Sequence, residues 1–159
     1  MTDETVYIPS TPGESPVHPR LTTLGKAEII RALGLFSQAS VEQLYRLASI
    51  AQEADFAPGQ TIFQEEDIGD AFYVLVEGKV EHTSEKRNIK EILGPGDTVG
   101  LYSVLTREPR YATARALEDT FAISIGAEDL YNLLSNNMEI VVSVFKYFIT
   151  KLGMGPAKP

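Results

Sequence analysis

The chain contains no cysteine. That excludes disulfides, thiol catalysis and cysteine-ligated metals. Histidine is nearly as scarce, with His18 and His82 the only two. Neither has a second ligand at metal-site spacing, so metal binding and acid–base work are not expected. Basic residues are also few: 14 Lys and Arg stand against 22 Asp and Glu, for a net charge of -8. Binding to nucleic acid needs a basic face, and no lysine–arginine run supplies one. No apolar run approaches the length that spans a bilayer. Met1-Thr-Asp-Glu opens the chain acidic and without the apolar centre of a secretory signal. No Ser–His–acid set and no paired catalytic carboxylates stand out. The expectation is a soluble, cytoplasmic, non-enzymatic protein with neither nucleic acid nor membrane as partner.

What is present suits one domain with a sizeable core: 159 residues, 43% of them hydrophobic. Residues 1–22 hold Pro9, Pro12, Pro16 and Pro19 among Ser, Thr and Gly. They read as a disordered N-terminal tail. Ser10, Thr11 and Ser15 precede prolines there, and read either as phosphate acceptors or as parts of an unmodified linker. The domain is expected over 23–152, with a loose C-terminal tail over 153–159.

Inside the domain the apolar period changes twice. Leu24 to Leu33 is helical in spacing and stops at Gly34. Ser40 and Gln43 fit a capping box for a second helix, with Val41, Leu44, Leu47, Ala48 and Ala51 on one face. From Asp55 the period falls to two, and short strand-like runs alternate with turns at Pro58-Gly59, Glu77-Gly78, Glu85 to Asn88 and Gly94 to Asp97. Glu77-Gly78 reads as a tight hairpin, and Glu65 to Asp70 as a solvated acidic connection that does not match a calcium loop. After a last strand over Thr120 to Ile125, a helix is expected over Ala127 to Leu134. A second, capped by Asn136 with Glu139, is expected over Met138 to Leu152. The order is two helices, about eight strands with a small helix among them, then two helices.

One stretch, Val99 to Ala116, organises the rest. Gly100 opens it, a short apolar helix follows over Leu101 to Leu105, and Pro109-Arg110 leads into Ala112, Ala114 and Ala116 spaced by two. Free N–H groups at a helix start attract an anion, and an arginine fork suits phosphate. The alternative is a surface loop in which Arg110 pairs with Glu108.

This order, with Pro58-Gly59, Gly69-Asp70, Phe72 to Val76, Glu77-Gly78, Gly94 to Asp97 and the Val99 to Thr113 cassette, resembles the cyclic-nucleotide-binding domain. That family includes the bacterial catabolite-activator regulators and the regulatory subunits of cyclic-AMP-dependent protein kinase. The resemblance covers Leu33 to Leu152. It implies a mainly β fold with flanking helices: an antiparallel β-roll of the jelly-roll kind, two helices before it and two after. It implies a regulatory role with cyclic AMP or cyclic GMP as ligand, no tightly bound cofactor, and a last helix that closes over the base.

Gly100, Pro109, Arg110, Ala112 and Thr113 fall on the family's phosphate-cassette positions without a gap. The ligand-binding set so implied is Gly100, Leu101, Tyr102, Ser103, Arg110, Tyr111 and Ala112, with Tyr147 as lid. Three positions depart. Leu101 replaces the glutamate that accepts the ribose 2′-hydroxyl, Tyr111 replaces a small residue, and Glu66 replaces a turn glycine. Losing the glutamate costs roughly 1.5–3 kcal/mol of that contact. Three outcomes stay open: weak cyclic-nucleotide binding, another phosphate-bearing ligand, or a degenerate domain acting as a protein-interaction or dimerisation module. The stripe Ile140, Val144, Phe148 and Leu152, beside Val141, Phe145 and Ile149, either packs on the roll or pairs with a second copy over 138–152.

Overall fold

A computed structural model describes residues 21–153. Of the expected disordered tail over 1–22, residues 1–20, with the phosphate acceptors Ser10, Thr11 and Ser15, lie outside the described residues, as do residues 154–159. Leu21 and Thr22 are described, the Leu21 N–H donating to Glu53 and Thr22 capping the first helix.

Helix α1 (Thr23–Ala32) begins where Thr22 caps the Gly25 N–H, and ends before Gly34 at φ +71°. Helix α2 (Val41–Ile50) carries the full capping box: Ser40 accepts from the Gln43 N–H, and Gln43 accepts from the Ser40 N–H. Leu44, Leu47 and Ala48 face inward, whereas Val41, in the first turn, is exposed.

Eight strands follow, with a short helix between the sixth and seventh. They are β1 (Gln52–Phe56), β2 (Thr61–Phe63), β3 (Ala71–Glu77), β4 (Val80–Ser84), β5 (Ile89–Leu93), β6 (Thr98–Val99), β7 (Thr113–Ala116) and β8 (Thr120–Gly126). Helix α3 (Leu101–Thr106) interrupts them, and α4 (Ala127–Ser135) and α5 (Met138–Lys151) end the described chain. Two four-stranded antiparallel sheets form, in the orders β1-β8-β3-β6 and β2-β7-β4-β5. The expected β-roll with two helices before and two after is what the chain adopts.

The strand period of two divides the core. Phe72 and Val74 of β3 and Ile123 and Ile125 of β8 point outward to the helices, joining Ile30, Leu47, Leu130 and Ile140 in one cluster. Their sequence neighbours Leu75 and Ala122 point into the roll, joining Phe63, Val80, Val99 and Ala114 in a second. The central strands β3 and β8 are therefore covered on both faces, and β8 is buried almost throughout rather than at alternate residues.

Three local expectations change. Glu77-Gly78 is not a hairpin: β3 and β4 lie in different sheets, so Gly78 is the corner where the chain crosses between them. It sits at φ +98°, and a Cβ there would lie 2.6 Å from the Asp119 carbonyl oxygen and 2.7 Å from Thr120 Cα. The cap of α5 is Asn137, not Asn136. It makes no side-chain cap, because its Oδ1 accepts from Gln43 Nε2 while its Nδ2 donates back to the Leu133 carbonyl. The loop Glu65 to Asp70 is more than a solvated connection. Its Glu66 N–H and Asp67 carbonyl bond the Arg110 backbone, and Glu65 accepts hydrogen bonds from Ser84 and Arg87.

Candidate functional site

The site is assembled by the loop 65–70 and helix α3. The Glu66 N–H donates to the Arg110 carbonyl, and the Arg110 N–H donates to the Asp67 carbonyl, each at 2.8 Å. An isolated bridge joins Ile68 to Pro109. Held on both sides of its peptide unit, Arg110 turns its side chain into the protein, where it is only 2% exposed. Nη1 donates to the Gly100 carbonyl and to Ser103 Oγ, both at 2.8 Å, and Nη2 donates to the Ala71 carbonyl. The guanidinium carbon lies 4.0 Å above the Phe63 ring. Nε has no partner.

Every acceptor is neutral, and no carboxylate among the described residues pairs with Arg110. Burial therefore pulls its pKa below the ordinary arginine range. Tyr73, Asp70 and Asp67 oppose that pull electrostatically.

Two glycines make room for the buried fork. Gly100, at φ +83°, supplies the turn from β6 into α3, and a Cβ there would fall on Arg110 Nη1. A Cβ at Gly69 would lie 2.6 Å from Ser103 Oγ and 3.2 Å from the guanidinium carbon. Neither position tolerates a side chain while Arg110 points inward.

The expected site residues separate into three groups. Gly100, Ser103 and Arg110 meet in direct hydrogen bonds. Tyr102 and Tyr111 adjoin them as an edge-to-face pair with centroids 5.5 Å apart, and Ala112 is fully buried where the chain enters β7. Leu101 and Tyr147 belong elsewhere. Leu101 is buried in the helical cluster. Tyr147 packs beside the same cluster, edge-to-face with Phe148 and beneath Lys151. Arg110 does not pair with Glu108 as a surface loop would have it; the Glu108 carboxylate instead raises the pKa of the Tyr102 phenol.

Spacing alone did not single out Phe63, Ala71 or His82. Phe63 and His82 face the roll interior because they fall on inward positions of β2 and β4, a signal that the period of two carries. Ala71 contributes only a carbonyl, which no side-chain pattern reports. His82 is buried and bonded through Nδ1 to Glu91 at 2.8 Å. Among the described residues, no group of three or more His, Cys, Asp or Glu is placed to hold a metal, and no helix is long and apolar enough to cross a membrane.

The sequence model of the cyclic nucleotide-binding domain matches residues 53–137, more than half of the chain. The chain belongs to that family. This cyclic nucleotide-binding domain is 26% identical, over 129 residues, to the CRP-like cAMP-activated global transcriptional regulator of Mycobacterium tuberculosis; the match covers 79% of this chain and 58% of the regulator. It is 40% identical over 87 residues to a cGMP-dependent protein kinase of Toxoplasma gondii, covering 55% of this chain and 9% of the kinase. Among solved structures it is similar to the N-terminal domain of a transcriptional regulator from Streptomyces coelicolor A3(2), with a TM-score of 0.63 and 30% identity, over 78% of this chain and 90% of that one. The chain thus spans little more than half the length of the bacterial regulator and a small part of the kinase.

Proposed function

We propose that this chain is a regulatory sensor module, without enzymatic activity, whose cassette holds the phosphate of cyclic AMP or cyclic GMP against Arg110. One observation carries the reading: a guanidinium 2% exposed, whose acceptors are two carbonyls and a hydroxyl, with Nε–H unpartnered. Burying a cation is costly unless an opposite charge accompanies it. A phosphate beside Arg110 supplies that charge and an acceptor for the fork. The names of the relatives, a cAMP-activated regulator and a cGMP-dependent kinase, support the same ligand class. The net charge of -8 supports a module with no nucleic-acid or membrane partner of its own.

Helix α3 is tied to α4 by the Tyr131 hydroxyl, which donates to the Val104 carbonyl, and by Arg107, 4.3 Å above the Tyr131 ring. A ligand that draws in the cassette therefore pulls on α4, and through it on α5. Isothermal titration with cyclic AMP and cyclic GMP tests the reading. Saturable heat with either supports it, and flat heats at millimolar ligand overturn it.

The expected self-association also has support. Met138, Val142, Phe145, Ile149 and Leu152 are exposed on α5, spaced four, three, four and three, the seam of a two-helix coiled coil. A second copy of α5 is the occupant proposed for it. Sedimentation should give a dimer, and Phe145→Lys, at a side chain 64% exposed, should give a folded monomer. A monomeric wild type at high concentration would count against the pairing.

A further inference from the structure

Tyr111 is the residue of the cassette whose surroundings the function above leaves unexplained. Its ring stands edge-on to His82 at 5.1 Å on one side and to Tyr102 at 5.5 Å on the other. His82 belongs to β4, faces the roll interior, and is fixed from behind by Glu91 of β5. Tyr102 belongs to α3. One ring therefore bridges from the inner wall of the roll to the cassette helix.

Behind that bridge, His82 meets Phe63 edge-on at 6.2 Å, and Phe63 carries the Arg110 guanidinium. The Tyr111 backbone is itself pinned, because Arg87 donates to its carbonyl at 3.1 Å while also pairing with Glu65 at 2.8 Å. Burial raises the phenol pKa, with Glu91 adding to the shift, in keeping with a ring tucked into the wall rather than standing in solvent.

We propose that Tyr111 is the gate of the cassette, closed by its two ring contacts, and that a ligand reaches Arg110 from the roll interior only when the ring swings away from His82 and Tyr102. The proposal rests on the reading of Arg110 as a phosphate site. The ring sits between α3 and β4, against His82, which itself meets the Phe63 ring beneath the Arg110 guanidinium. A closed gate lowers apparent affinity by the fraction of molecules in which it is open. Two edge-to-face contacts hold the closed state at about five- to 150-fold over the open one.

Isothermal titration with cyclic AMP and cyclic GMP on four proteins tests this: wild type, Tyr111→Ala, Tyr102→Ala, and Tyr111→Ala combined with Arg110→Ala. Tyr111→Ala is expected to bind about five- to 150-fold more tightly than wild type. Tyr102→Ala, which removes one contact from an exposed position, is expected to gain about two- to tenfold. The double variant should lose the gain. Equal or weaker binding by Tyr111→Ala overturns the gate while leaving the phosphate site standing. A gain that survives without Arg110 overturns it too, since the ligand would then lie elsewhere. No heat in any of the four overturns the phosphate reading itself, and the gate with it. Should Tyr111→Ala fail to give a cooperative thermal melt, Tyr102→Ala decides alone, and unchanged affinity there overturns the gate.

Discussion

Arg110→Ala is expected to lower cyclic-nucleotide affinity at least about hundredfold, because two charge-assisted hydrogen bonds worth about 1.5–3 kcal/mol each are lost. The fold should survive the change. In the free protein the guanidinium is a desolvated charge held by neutral oxygens, so its removal relieves a burial cost as well as breaking hydrogen bonds. The two effects oppose each other, and a net change within about 2 kcal/mol is expected. Arg110→Lys separates charge from shape. An ammonium keeps the attraction but cannot reach the Gly100 and Ala71 carbonyls as a planar fork does, so its affinity should fall between wild type and Arg110→Ala. Titration calorimetry for affinity and thermal melts for stability check both. A large stability loss without a change in affinity would show that Arg110 is only a structural residue.

Gly78→Ala should be strongly damaging to the protein's framework, at about 2–6 kcal/mol. Two costs add. A non-glycine residue at φ +98° is strained by about 1–3 kcal/mol. The new Cβ also meets the Asp119 carbonyl oxygen and Thr120 Cα, which are backbone atoms and cannot rotate away. Overpacking of that kind costs about 1–3 kcal/mol. The turn it strikes is braced, with Thr120 Oγ1 donating to the Glu118 carbonyl at 2.9 Å and the Leu117 N–H donating to the Lys79 carbonyl at 2.8 Å. A loss of roughly 5–20 °C in Tm follows for a domain of this size. Gly94→Ala is the control: nothing lies within 4 Å of its Cβ and its φ is not positive, so its Tm should stay within about 2 °C of wild type. Circular-dichroism melts of the two variants give the comparison, and equal melting temperatures would refute the account of the corner.

The departures from the family pattern take on different meanings in three dimensions. Leu101 does not simply lack an acceptor; its side chain is part of the helical core. Glu66 does not simply replace a glycine. It keeps a positive φ of 73°, and its carboxylate draws in Lys86 and Arg87, which together hold its pKa below the usual carboxylate range. Being fully exposed, this group carries little of the fold's stability. Tyr111 acquires ring partners from two different elements.

The sequence alone determined the features that depend on near neighbours. Element order, the capping box at Ser40 and Gln43, the turns at Pro58-Gly59 and Gly94 to Asp97, and the helical and strand periods are set by interactions a few residues apart. They could be read directly and they hold. The family's cassette spacing belongs with them, because it lies in one continuous stretch. Only the tertiary structure decided which sheet each strand joins, and so turned the expected hairpin at Gly78 into a corner between sheets. It also decided the direction of Arg110, which depends on carbonyls of Asp67 and Ala71, some forty residues away in the chain. Backbone carbonyls are the same at every residue, so no residue type announces them. The aim of a buried side chain is set by what surrounds it in space, and the sequence lists only what surrounds it along the chain.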